Sequence, residues 1–204
     1  MRFTLLTDGS SDQALLPVLD WLLLRHTEVP FERQWADLRA LPNPPKGLVR
    51  RIEIALHLYP CDLLFVHRDA EREPRLNRVA EIRAALADQG TCPIAVCVVP
   101  VRMQEAWFLF DERALREAAD KPTGKHPLNL PKLSEVEYEP DPKQRLHDLL
   151  HEASGLRGRH SKRFRPSERV HRLAWLIKDF SPLLLLPAFN ALDRDIGEAV
   201  AHLI

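Results

Sequence analysis

The chain carries no surplus of charge: 29 lysines and arginines stand against 29 aspartates and glutamates over 204 residues. No global field therefore draws it onto nucleic acid or an anionic membrane, and a polyanion would have to be met by a local patch. Cysteine is scarce, three in all, and no CxxC pair occurs. Of Cys61, Cys92 and Cys97, the last two flank and sit within an apolar run, so buried thiols are expected over a disulfide framework or a zinc site. No apolar run approaches the ~20 residues that span a bilayer, and there is no internal repeat. The N-terminus opens on a strand-like stretch instead of a signal peptide, so a cytoplasmic protein without a membrane partner is expected. What is present is ordinary for a globular chain: 45% hydrophobic and 28% charged residues. That fits one large domain, or an α/β core with a helical appendix.

The first half alternates strand-like and helix-like segments. Arg2 to Thr7 is an apolar run that stops at the turn signal Asp8-Gly9; Ser10 or Ser11 can cap the helix that follows, with Asp12 in its positive first turn. Ala14 to Leu24 is apolar almost all round. Phe31 to Leu38 is a weaker strand, and Leu48, Val49, Ile52, Ala55 and Leu56 recur at helical spacing. Asp62 to His67 reads as a buried strand, Pro74 to Gln89 as a helix closed by Gly90, and the β-branched run Ile94 to Val99 as a central parallel strand. This order predicts a mostly parallel sheet with right-handed crossovers. After Pro100 the pattern predicts a helix over Met103 to Ala119, a proline-rich stretch to Pro140, a helix starting at Asp141-Pro142, and two further helices. Those are Pro166 to Phe180, and Ser181 onward with a break at Pro187. The expected division is residues 1–119 as the α/β core and 120–204 as a helical C-terminal extension packed on it.

Open parallel sheets bind ligands at the carboxyl ends of their strands. Asp8 and Asp12 follow the first strand there, Asp69 and Glu71 follow the third, and Glu105 follows the fourth. Several carboxylates at one sheet edge suit Mg²⁺, which takes oxygen ligands and keeps some of its water. Taken singly, each acid could equally cap a helix or end a strand.

The segment LLTDGSSDQALLPVL resembles the opening of Toprim domains, and VHRDAE resembles their second, Asp-x-Asp motif. VPVRMQEAWFLFDERALREAA, then DPK, then VHRLAWLIKDFSPLLLLPAFNALDRDI, are similar to an uncharacterised Toprim-related bacterial family often found near ATPases. The resemblance implies a Toprim-like, Rossmann-like fold and a Mg²⁺- or Mn²⁺-dependent nuclease acting on DNA or RNA. It also implies a role in phage defence, with an ATPase as partner. Under it, Asp8, Asp69 and Glu105 are the catalytic candidates, and Asp8, His67, Asp69 and Glu71 the metal ligands. This chain departs from the pattern twice. Asp8 stands where Glu is usual, about one methylene shorter, and His67 replaces the first Asp of Asp-x-Asp, a change that favours Mn²⁺ or Zn²⁺ over Mg²⁺. Either the metal preference has moved, or Glu71 and Glu105 replace the lost oxygens, or the protein is a degenerate module that binds nucleic acid or an ATPase without cutting.

The remaining candidate surface is the tract LRGRHSKRFRPSERVHR. Arg157, Arg159, Lys162, Arg163 and Arg165 could track a phosphate backbone, with Phe164 available to stack and Gly155 and Gly158 suggesting a mobile loop. A solvated loop or a docking surface for an acidic partner explains the tract equally well, and a homo-oligomer is compatible with every reading. Three motif echoes lack their context. Arg25 to Glu28 echoes a phospho-histidine phosphatase motif from the wrong place. His67-Arg68-Asp69 spells a kinase triplet without a glycine-rich loop, and Gly9-Ser10-Ser11 lacks the P-loop lysine.

Overall fold

The computed structural model describes residues 1–203. β1 (Arg2–Leu6), β2 (Glu32–Ala36), β3 (Leu63–His67) and β4 (Ile94–Val98) form one sheet in the order β2-β1-β3-β4, every neighbouring pair parallel. The α/β architecture expected from the alternating pattern is therefore present. α1 (Leu16–His26), α2 (Leu48–Leu58) and α3 (Arg75–Ala87) make the crossovers. β1 pairs with β2 on one side and with β3 on the other, so the chain reverses direction across the sheet between the carboxyl ends of β1 and β3. Such a switch point leaves a crevice that the crossing connections cannot fill.

All five residues of β3 are buried, which explains its continuous apolar run; β4, expected as a central strand, instead lies at the sheet's edge, with Ile94 and Ala95 half-buried. Phe3, Leu5, Leu63, Phe65, Val96 and Val98 enter one core; Leu6, Leu64, Val66 and Cys97 enter the other. The second core is closed by Ile52 and Ala55 of α2 and Val79, Ile82 and Ala85 of α3. The first is closed by α1 and by four helices from the second half: α4 (Glu112–Ala118), α5 (Pro142–Ser154), α7 (Val170–Leu176) and α8 (Pro187–Leu203). The helices of the second half thus join α1 in building one face of the sheet's core.

Three expectations change in detail. The single helix over Met103 to Ala119 is a tight 3₁₀ segment, Gln104–Phe108, followed by α4. All of Gln104–Phe108 is buried, and Asp111 then starts α4 afresh by accepting a hydrogen bond from Ala114 N at 2.9 Å. The winding from Ser181 is interrupted just before Pro187 as expected, at the extended Leu186, but its first part is a 3₁₀ turn, Ser181–Leu185. Pro187 opens α8 at the first position, where its missing N–H is harmless. The basic tract is not simply a loop: Gly155, at φ +61°, ends α5, and the chain winds again into α6 (Gly158–Arg163). Asp141 caps α5 as expected, with Pro142 behind it and Gln144 N donating at 2.9 Å.

Candidate functional site

β1 ends in Thr7-Asp8-Gly9, and a 3₁₀ turn, Ser11–Leu15, carries Asp12 inward beneath it. Asp12 is buried and accepts from Gly9 N at 2.7 Å, Ser11 Oγ at 3.1 Å and Gln104 Nε2 at 2.9 Å. A Cβ on residue 9 would stand 3.1 Å from Asp12 Oδ1, so this close turn selects glycine. β3 ends in His67, which is buried, and the next turn delivers Asp69. Gln104 N donates to Asp69 Oδ1 at 3.0 Å, which ties the β3 exit to the segment after β4.

The cleft enclosed here, about 270 Å³, is lined by Asp8, Gly9, Ser11, Asp12, His67, Arg68, Asp69, Glu71 and Lys143. Four of the residues expected as ligands or catalysts, Asp8, His67, Asp69 and Glu71, therefore share one cleft at the carboxyl edge. Glu71 sits at its rim with φ +55°, a left-handed backbone rare outside glycine, held by its N–H to the Arg102 carbonyl at 2.8 Å. Glu105 is buried, with Lys143 Nζ 3.8 Å from its Oε1. Burial pushes the Glu105 carboxyl up, Asp69 adds to the rise and Lys143 opposes it. Burial likewise raises Asp69, against the pull of His67 and with the push of Asp12.

The centre of the cleft differs from the expected set in one respect. Asp8 is committed to two guanidiniums: Arg51 bonds Oδ1, and Arg68 Nε lies 3.1 Å from Oδ2. The carboxylate facing His67 from β1's exit is Asp12. His67 Nε2 is 3.9 Å from Asp12 Oδ2 and 3.5 Å from Asp69 Oδ1, while its Nδ1 lies 2.9 Å from the Val98 carbonyl. A carbonyl only accepts, so Nδ1 carries a proton and Nε2 presents a lone pair, unless it is protonated too. An imidazole fixed by a backbone carbonyl, its other nitrogen turned to carboxylates, is the arrangement that metal-binding histidines adopt.

The fit to a cation is that of a hydrated one. Neighbouring ligands of one ion stand about 3–3.5 Å apart when each is ~2.1 Å from it. The His67–Asp69 and His67–Asp12 separations are at and above the wide end of that range. Among the described residues no three His, Cys, Asp or Glu side chains are drawn in tightly enough to hold an ion unaided.

Asp12, Gln104, Lys143, Arg51 and Arg68 complete the cleft and its rim; of these only Asp12 was among the acids expected at this edge, and the ligand set taken from the resemblance left it out. For Asp12 a signal existed, since it opens the segment after β1. Lys143 comes from the far half of the chain, and only the fold brings it here. The largest cavity, about 590 Å³, lies at the opposite end of the sheet around Met1, Arg2 and Cys61. Its polar groups are already bonded within the chain: Asp62 accepts from Arg2 N at 2.7 Å, Arg2 pairs with Glu32 at 3.2 Å, and the Met1 ammonium donates to the Pro30 carbonyl. Its size therefore outranks its chemistry.

Arg157, Arg159, Lys162, Arg163 and Arg165 are all exposed, and none has an acidic partner among the described residues. Phe164 is not free to stack on a base. It is half-buried against the core, edge-on to His151 at 5.9 Å, with the Arg169 guanidinium 5.7 Å from its ring. His26, from the phosphatase-like echo, ends α1 and bonds Asp193 at 2.8 Å. No helix among the described residues is long and apolar enough to cross a membrane. No known protein family, curated protein or solved structure matches the chain.

Proposed function

We propose that this chain is a Toprim-like, divalent-cation-dependent nuclease that cleaves phosphodiester bonds at the carboxyl edge of its sheet. The observation that carries the reading is the set Asp12, His67 and Asp69 at the β1/β3 switch point, with the imidazole Nε2 directed toward two carboxylates. These residues would hold Mn²⁺ or Mg²⁺, with Glu71 at the rim as a further oxygen. A bound ion of that kind neutralises charge on a phosphate and acidifies water. The chain's own groups supply the rest. Lys143, half-exposed beside the cleft, meets a phosphate oxygen. Glu105 holds a proton more tightly than an ordinary carboxyl because it is buried, which suits a general acid or base. The exposed cations of α6 and its flanks grip the backbone farther along. An ATPase partner and a part in defence against phage are consistent with the sequence resemblance.

The test is cleavage of single- and double-stranded DNA and RNA in Mn²⁺ and in Mg²⁺, with the wild-type chain and with Asp69→Asn. A Mn²⁺-dependent cut lost in Asp69→Asn supports the reading; a cut that persists in that variant removes this cleft from it.

A second reading has its own support. Asp8 is neutralised by arginines. That is as expected of a module that binds nucleic acid or a partner without cutting it. A wild-type protein that binds nucleic acid but never cleaves it, in either metal, favours this alternative.

A further inference from the structure

The carboxylate of Asp8 is also a wall of a second cavity, about 360 Å³, between the exit of β1 and the start of α2. Its charged lining is Arg39, Lys46 and Arg51 against Asp8 alone. Arg39 is paired with Asp37 at 2.7 Å, whereas Lys46 has no acidic partner among the described residues. The volume lies within the range of about 300–1,000 Å³ typical of small-molecule sites.

Arg51 and Arg68 close on Asp8 from two sides, one guanidinium to each carboxylate oxygen. They are 17% and 25% exposed, and Asp8 is 42% exposed. Arg68 also bonds Glu81, which pairs with Arg78 at 2.9 Å. The chain of contacts thus holds three cations and two carboxylates, and it is positive even with Asp8 in place. Two guanidiniums forced together repel, and burial together with Arg68 makes Arg51 easier to deprotonate than usual. A single carboxylate is a small counter-ion for that pair. One guanidinium per oxygen is also how a forked pair of arginines takes a phosphoryl group, with charge-assisted bonds to separate oxygens.

We propose that this cavity is a phosphoryl-binding site and that Asp8 is its resident anion, displaced when the arginines take an incoming phosphate. Arg51 from the cavity wall and Arg68, which reaches Asp8 from the neighbouring acidic cleft, grip two phosphate oxygens; Lys46 meets a third from across the cavity, and Asp8 turns outward to water. The ligand is a phosphate of a nucleotide or a nucleotide chain. This rests on the nuclease reading for one point only, that the phosphate neighbours the one cleaved. It also assigns Asp8 a role other than metal ligand, because a carboxylate shared by two arginines has little charge left for an ion.

The test is calorimetric titration in EDTA with three probes: inorganic phosphate, a 5′-phosphorylated oligonucleotide and the same oligonucleotide unphosphorylated. Asp8→Asn should bind phosphate about ten-fold more tightly than wild type, because two competing ion pairs are removed. Arg68→Gln and Lys46→Gln should each weaken phosphate binding, and Arg68→Gln should cancel the gain in the double variant. Arg51 also donates to the Thr7 carbonyl, so it is left in place to protect the fold. A gain limited to the 5′-phosphorylated strand identifies a terminal phosphate as the occupant; an equal gain for both strands identifies an internal phosphodiester. Asp8→Asn that melts like wild type but binds phosphate no more tightly overturns the proposal. If Asp8→Asn does not fold, unchanged phosphate binding in Arg68→Gln and Lys46→Gln overturns it instead. No metal is present, so failure of the nuclease reading leaves this result untouched.

Discussion

His67 Nε2 lies 3.5 Å from Asp69 Oδ1 while its Nδ1 is tied to the Val98 carbonyl at 2.9 Å. Neutral histidine in that setting turns a lone pair toward acceptors, an unfavourable meeting that a cation or a second proton relieves. Mn²⁺ should therefore stabilise the protein. At a hundred-fold excess over Kd the gain is about 2.7 kcal/mol, or roughly 5–10 °C in Tm for a chain of this size. Asp12→Asn and Asp69→Asn should lose most of that shift. His67→Asp should move the preference from Mn²⁺ toward Mg²⁺, because an oxygen donor replaces a nitrogen. Thermal melts of the four proteins with each metal check this, and a wild-type Tm indifferent to both metals would count against the site.

Cleavage and grip should separate by mutation. Asp69→Asn should lower the cleavage rate by more than the 10–100-fold that loss of an outer partner costs, roughly, at a metal site, yet leave nucleic-acid affinity nearly intact. Neutralising Arg159, Arg163 and Arg165 together should do the reverse. Each lost duplex phosphate contact flattens the salt dependence by about 0.9 in the log–log slope. Affinity measured across a salt series, with rates on the same substrates, distinguishes the two effects.

The sheet was legible chiefly through β3, which is buried on both faces and so must be apolar throughout, whereas β4, equally apolar, proved to be an edge strand. The convergence of Asp8, His67, Asp69 and Glu71 was legible too, since parallel strands place all their carboxyl ends at one edge. What sequence could not supply is which carboxylate turns inward. Asp8 and Asp12 are four residues apart, and only the arrival of Arg51 from α2 and Arg68 from the turn after β3 claims the first and leaves the second for His67. The helix expected over Met103 to Ala119 was misjudged for a local reason. Asp111 starts α4 afresh, and the apolar pattern runs through it without marking the start.

Glu137 offers a stability test remote from the cleft. It is buried and accepts from Ala188 N at 3.2 Å, capping the start of α8 across the fold. Burial raises its carboxyl above the ordinary 4.5, opposed by that hydrogen bond and by Arg75. The folded state therefore holds this proton more tightly than the unfolded one, so stability declines as pH rises through the window above 4.5. Glu137→Gln keeps an acceptor without the charge. It should raise Tm at neutral pH by about 2–4 °C per kcal/mol recovered, and the gain should vanish in acid below that window. Glu137→Ala should lose the cap and melt lower at every pH. A Glu137→Gln advantage that persists in acid would show that charge burial is not the cause.

The distance between cleft and basic tract sets a length requirement on the substrate. Lys143 stands at the first turn of α5, and the tract begins where that helix ends at Gly155. Thirteen residues of α-helix span about 20 Å at 1.5 Å per residue, which is about six base pairs at 3.4 Å each. A stem much shorter than that reaches the cleft without touching the tract. Hairpins with stems of about four base pairs should therefore be cleaved with the same kcat/KM by wild type and by the Arg159, Arg163 and Arg165 triple variant. Stems of about twelve base pairs should lose about ten-fold in the variant, as expected from three exposed contacts worth roughly 0.5 kcal/mol each. An equal loss at both lengths would mean that the tract acts through the fold or through a partner instead of along the same strand. No loss at either would leave the tract outside the substrate path altogether.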